Sequence, residues 1–180
     1  MSINSNHLTN ATWLSSPNFD DRPDPTDISL IVIHCISLPP GEFDNDHISQ
    51  LFTNALNPNE HAYFEQIHQL KVSSHLLIKR TGQIIQYVPF DKRAWHAGKS
   101  DYQGRERCND FSIGIELEGT ECTDYTTTQY EQLAKVINAL LAVYPKLSRQ
   151  RITGHCDIAP GRKTDPGASF DWKKLYLLLN

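Results

Sequence analysis

The stretch "ISLIVIHC", Ile28 to Cys35, is a short apolar run rich in β-branched residues. That composition at that length predicts a buried strand, stopped by the turn formers of "LPPG" at 38–41. His34 stands at its end, where a rigid sheet aims side chains into a cleft. A second run, "FSIGIELEG" at 111–119, alternates. Ile113, Ile115 and Leu117 point one way, and Gly114, Glu116 and Glu118 point the other.

The other elements arrange themselves around these two strands. "HLLIKRTGQIIQYVP", 75–89, reads as two strands turned at Thr81-Gly82. Ile48, Leu51, Phe52 and Ala55 recur at helical spacing, and a second short helix is expected over 63–70. Thr128 and Glu131 have capping-box spacing. Behind them Tyr130, Leu133, Ala134, Ile137, Leu141 and Tyr144 form a helical stripe that ends before Pro145. "RIT" at 151–153 is a short strand, and "SFDWKKLYLLL" at 169–179 is a C-terminal helix. The polar stretch 1–25 is expected to be irregular and to belong to the same domain, with 26–180 as its body. The class is α/β, a single domain with a central mixed β-sheet flanked by helices.

Bulk properties narrow the function. A chain of 180 residues with 39% hydrophobic residues supports a sizeable core. A net charge of −4 without a basic block argues against nucleic acid as a partner. No apolar run approaches the ~20 residues of a membrane span, and the N-terminus lacks a signal-peptide pattern, so a cytoplasmic location is expected. Cys35, Cys108, Cys122 and Cys156 are scattered with no CxxC pair, as in a reduced compartment. No obligate protein partner is evident.

The loop "TGHCDIAPGRKTDPG", 153–167, carries more reactive side chains than a plain connection needs, and its prolines and glycines argue against helix or strand. His34 and His155, each at a strand end, could share a divalent metal with one carboxylate, leaving a position for water. Asp157 and Asp165 both offer that carboxylate, and spacing alone leaves them open. Glu116, on the strand face opposite the isoleucines, faces either solvent or a cleft. In a cleft it could take a proton from water. Lys163 is a surface charge or an oxyanion partner. Trp95 in "RAWHAG" is a core aromatic or a platform for a sugar or peptide, and Arg105, Arg107 and Arg162 could clamp carboxylates. His61 and His68 are spaced for packing rather than for metal. Ser74-His75 lacks the elbow of a serine nucleophile.

Taken together, "IVIHCISLPPGEF", "SSHLLIKRTGQIIQYVPFDKRAWHAG", "GRERCNDFSIGIELEGT" and "TGHCDIAPGRKTDPG" resemble the zinc-dependent N-acetylmuramoyl-L-alanine amidases, closest to their cytoplasmic, peptidoglycan-recycling branch. The resemblance runs from about Trp13 to Trp172. It implies the peptidoglycan-recognition/amidase type 2 fold, with Zn2+ on His34, His155 and Asp165 rather than Asp157. It further implies Glu116 as the base, Lys163 as support for the oxyanion, and an anhydromuropeptide as substrate. Arg107, Arg162 and Trp95 become candidate substrate contacts. Some relatives place cysteine where Asp165 stands, and many place proline at Ala168. Three alternatives compete with this reading: a non-catalytic peptidoglycan-binding module, a cysteine hydrolase using Cys35 or Cys156, and an amidase on intact wall polymer.

Overall fold

Residues 1–25 are not irregular. In a computed structural model of the protein, which describes residues 1–179, they carry four short strands: β1 (Ile3–Asn4), β2 (His7–Leu8), β3 (Thr12–Trp13) and β4 (Phe19–Asp21). The apolar run at 28–35 becomes β5 (Leu30–Ile36), followed by α1 (His47–Phe52) and α2 (Ala62–Ile67). The expected hairpin is β6 (Leu76–Ile78) and β7 (Ile84–Gln86), antiparallel across the Thr81-Gly82 turn. Then come β8 (Lys92–Ala94), β9 (Asp101–Tyr102), β10 (Arg105–Glu106), β11 (Ser112–Glu118), α3 (Thr127–Val143), β12 (Ile152–Gly154), α4 (His155–Ile158) and α5 (Trp172–Leu178).

Six strands make the main sheet in the order β12-β5-β11-β6-β7-β3. The four from β12 to β6 run parallel, β7 runs against β6, and β3 is parallel to β7 at the edge. The mixed sheet is as expected, and β3 ties the N-terminal segment into it. The alternation of β11 also holds. Ile113, Ile115 and Leu117 join Ile31 and Ile33 of β5 in a core against Leu133, Ile137 and Leu140 of α3. All seven residues of β11 are nonetheless buried, because a central parallel strand is covered on both faces. Glu118 is therefore not a solvated residue: its carboxylate accepts from the Asp44 and Arg80 backbone N–H groups at 2.8 and 2.9 Å.

The helix α3 begins two residues earlier than expected. Thr126 Oγ1 accepts from Gln129 N–H at 3.1 Å, and Gln129 Oε1 accepts from Thr126 N–H at 3.0 Å. Gln129, not Glu131, completes the box because its amide nitrogen is buried and donates to the Ile78 and Glu118 carbonyls. Such a cap contributes about 1 kcal/mol. The 37–60 region packs Leu38, Ile48, Leu51, Phe52 and Leu56 into a second cluster with Phe64 and Tyr87. Ala55 lies beyond the end of α1.

A polar plug lies under β11. Arg22, 4% exposed, donates to the carbonyls of Phe90, Asn109, Asp110 and Ser112. Beside it the buried His75 accepts from Gly114 N–H at 3.1 Å through Nδ1 and donates from Nε2 to the Lys92 carbonyl at 3.0 Å. Burial, followed by the Arg22 charge, pushes the His75 pKa down to about 3 from 6.5. The folded value lies below the unfolded one. The stability that neutral His75 contributes is therefore full above pH 6.5 and is lost as pH falls toward 3. Urea denaturation at stepped pH should show this decline. His75→Asn should flatten part of it, on the order of 3–5 kcal/mol at the foot of the window. Parallel pH curves for the two proteins would contradict the assignment.

Candidate active site

The parallel register builds the site at the carboxyl ends of three adjacent strands. Glu116 of β11 pairs with His34 of β5, and Gly154 of β12 pairs with Ile33. His155, the next residue, therefore emerges beside His34. In α/β sheets this edge is where clefts form. The rest of the loop folds back: Cys156 N–H donates to the Asp165 carbonyl at 2.9 Å, which brings Asp165 to the two histidines. Gly167 makes the return possible. It has φ +86°, and a Cβ there would lie 2.3 Å from Glu121 Cα, so only glycine fits. The segment is not wholly irregular, since His155 opens the four-residue helix α4.

His34 Nδ1, His155 Nδ1 and Asp165 Oδ2 lie 3.0, 3.0 and 3.1 Å from one another. All three residues are buried. Burial pushes the His34 pKa down to about 4 against the pull of Asp165, so the ring is neutral at pH 7. His155 Nε2 lies 3.1 Å from the Ala97 carbonyl, which can accept from Nε2–H when Nδ1 serves as the ligand atom. An anionic oxygen and imidazole nitrogens that converge at 3 Å need a cation between them. Ligand atoms bound at 2.0–2.1 Å to a tetrahedral zinc would stand about 3.3 Å apart, so the residues fit that metal. Asp157 is elsewhere: its Oδ2 accepts from Gly154 N–H at 2.8 Å and Thr153 Oγ1 at 3.0 Å.

Glu116 faces the same cleft, at 8% exposure. Its Oε2 is buried with no hydrogen-bond partner among the described residues. Burial and then the Asp165 charge raise its pKa well above 4.5, and Lys163 pulls the other way. A desolvated carboxylate with an open acceptor is what a general base requires. Lys163 is exposed at the cleft mouth. It lines, with His34, Glu116, His155 and Asp165, a cleft of about 540 Å³.

The remaining candidates divide. Trp95 lines the cleft, its indole held by an Nε1–H bond to Asp20 at 3.1 Å. Arg162 also lines it and donates to the Ala97 and Lys99 carbonyls at 2.6 and 2.7 Å. Arg107 lies outside it, in an adjoining groove that Arg162 and Lys99 share, with its Nε 3.1 Å from Asp110. Arg105 is bound to Asp27 at 2.6 Å and stacks on Phe111. Burial raises the Cys35 thiol to about 12 and raises Cys156 as well, which leaves neither as a thiolate nucleophile. His61 caps α2, accepting from Tyr63 N–H at 3.0 Å. His75, with both nitrogens engaged, is no base for Ser74. Tyr63, Ile67 and Val72 also line the cleft. The sequence reading missed them because they arrive from α2 and its following loop without a chemical signature.

Comparison with known proteins identifies the family. The family model for N-acetylmuramoyl-L-alanine amidase matches residues 24–168. The 1,6-anhydro-N-acetylmuramyl-L-alanine amidase AmpD of Citrobacter freundii is 58% identical over 99% of this chain and 95% of its own. A crystal structure of a selenomethionine AmpD derivative superposes with a TM-score of 0.97 at 58% identity, covering all of both chains. The amidase AmiD of Escherichia coli was solved with anhydro-N-acetylmuramic acid-L-Ala-D-γ-Glu-L-Lys as substrate. It gives a TM-score of 0.62 at 28% identity over 84% of this chain and 57% of that one. The chain belongs to the N-acetylmuramoyl-L-alanine amidase family.

Proposed function

We propose that this amidase hydrolyses the amide between the lactyl group of 1,6-anhydro-N-acetylmuramic acid and the L-alanine of a stem peptide, in peptidoglycan recycling in the cytoplasm. Zn2+ would be held by His34, His155 and Asp165. The observation that carries the reading is the cluster of those three donors beside the unpartnered Oε2 of Glu116. It is supported by the near-complete match to relatives that carry that activity in their names. Four free cysteines support a reducing compartment, and among the described residues no helix is long and apolar enough to cross a membrane.

The metal, when bound, supplies a Lewis acid for the carbonyl and acidifies water. The residues then share the work. Glu116 accepts a proton from the attacking water as its oxygen adds to the carbonyl carbon. Lys163 places a cation beside the oxyanion that forms. Protonated Glu116 returns its proton to the alanine nitrogen as the C–N bond breaks. A free peptide amine and the carboxylate of the anhydro sugar leave. Trp95 offers a face to the substrate, and Arg162 and Arg107 mark a path along which stem carboxylates can lie.

Purified protein incubated with an anhydromuropeptide, and separately with intact wall polymer, tests this by mass spectrometry. The expected products of the first are the anhydro sugar and a peptide with free N-terminal alanine, formed much faster than any release from polymer. Faster release from polymer would move the substrate to the cell wall.

A further inference from the structure

His34 Nε2 lies 2.9 Å from His96 Nδ1, and nothing in the proposed reaction uses His96. The hydrogen bonds beyond it have a forced direction. Ser112 Oγ lies 2.6 Å from the Cys108 carbonyl, which can only accept, so the hydroxyl proton points there. His96 Nε2 lies 3.2 Å from the same Oγ. With its proton committed, Oγ accepts, and the proton of His96 sits on Nε2. His96 Nδ1 is then bare and accepts from His34 Nε2–H. This leaves the His34 proton on Nε2 and its Nδ1 lone pair facing His155 and Asp165.

The fold holds the His96 ring in place on several sides. Gly114 of β11 lies beneath it: a Cβ there would be 2.5 Å from the ring Cγ. Glycine inside the central strand is thus explained by the close approach of a side chain. Asn109 Oδ1 accepts from the backbone N–H groups of His96 and Ala97 at 3.2 and 2.7 Å. The edge of His96 meets His34 with ring centroids 5.0 Å apart, and His75 closes the far side at 5.8 Å.

We infer that His96 is a positioning residue for the metal site: through Ser112 and the Cys108 carbonyl, it sets which nitrogen of His34 carries the proton and so presents Nδ1 as the ligand atom. The inference rests on the metal site proposed above. Partners of this kind on a ligating histidine typically change metal affinity by 10–100-fold.

Two measurements on the whole protein test it. In metal-free protein labelled with 15N-histidine, two-bond 1H–15N spectra report which ring nitrogens are protonated. His34 should carry a proton on Nε2, and His96 should carry one on Nε2 with Nδ1 bare. Zinc affinity is then read by competition with a chromophoric chelator. His96→Leu removes the acceptor, and its zinc dissociation constant should rise about 10–100-fold, with an Nδ1–H signal appearing on His34. His96→Asn keeps an acceptor oxygen near the position of Nδ1 and should recover most of the affinity and the Nε2–H signal. A role in packing alone would weaken both variants alike and leave the His34 tautomer unchanged.

The inference is overturned if wild-type His96 carries its proton on Nδ1, or if His96→Leu binds zinc within twofold of wild type. If His96→Leu does not fold, Ser112→Ala probes the far end of the same chain, and an unchanged affinity there overturns it equally. Failure of the metal site itself reads differently: wild-type protein would then bind no zinc, whatever the tautomers show.

Discussion

Glu116→Gln is expected to lower kcat by about 10²–10⁴-fold, the usual contribution of a positioned general base, while zinc content stays at the wild-type level. Glutamine keeps the shape of the side chain but cannot take a proton. The metal donors are other residues, so their positions are undisturbed. Oε2 of Glu116 has no hydrogen-bond partner among the described residues, so no structural hydrogen bond is lost at that atom. The same change has an opposite effect on stability. In metal-free protein, burial and then Asp165 hold the Glu116 pKa well above 4.5. The stability that protonated Glu116 contributes is full below pH 4.5 and is lost as pH rises through the raised folded value. Glu116→Gln should therefore melt increasingly above wild type as pH rises from 4.5. Steady-state kinetics, metal analysis and melting curves separate the two effects. Near-normal turnover with normal zinc would remove Glu116 from the reaction.

Asp165→Ala is expected to weaken zinc binding by more than the ~100-fold upper range for a residue that only touches a ligand, and turnover should fall with occupancy. Asp165 supplies the one formal negative charge among the three donors, and its Oδ2 lies 3.0 and 3.1 Å from the two imidazole nitrogens. The loop itself should survive. Its anchor is the bond from Cys156 N–H to the Asp165 carbonyl, which alanine retains. Asp157→Ala is the informative comparison. It removes the acceptor that holds Gly154 N–H and Thr153, so it should cost stability without abolishing zinc binding. Chelator competition and thermal melts on both variants distinguish the roles, and equal zinc affinities would contradict them.

The elements legible from sequence were those with a strong period or a strong composition. β5 and β11 read as strands because β-branched residues and alternation act over seven residues each. β1 to β4 did not, because two or three residues carry no period, and their pairing is set by partners distant in the chain. The start of α3 was ambiguous for a local reason. "TTTQYEQ" offers overlapping capping frames, and the choice falls to the buried amide of Gln129, a tertiary fact. In the site, His34 and His155 were legible from their places at strand ends. The choice of Asp165 over Asp157 was not, because both stand on one loop and only folding shows that Asp157 turns back to its own backbone. The role inferred for His96 left one trace, Gly114 in the middle of a strand, whose meaning depends on the ring lying against it.

The most direct measurement of the central claim follows an anhydromuropeptide by mass spectrometry with the native protein, with protein stripped of metal, and with stripped protein given zinc back. The account predicts cleavage between the sugar and L-alanine, its disappearance on stripping, and its return with one equivalent of zinc. Cleavage of that bond by fully stripped protein would contradict it.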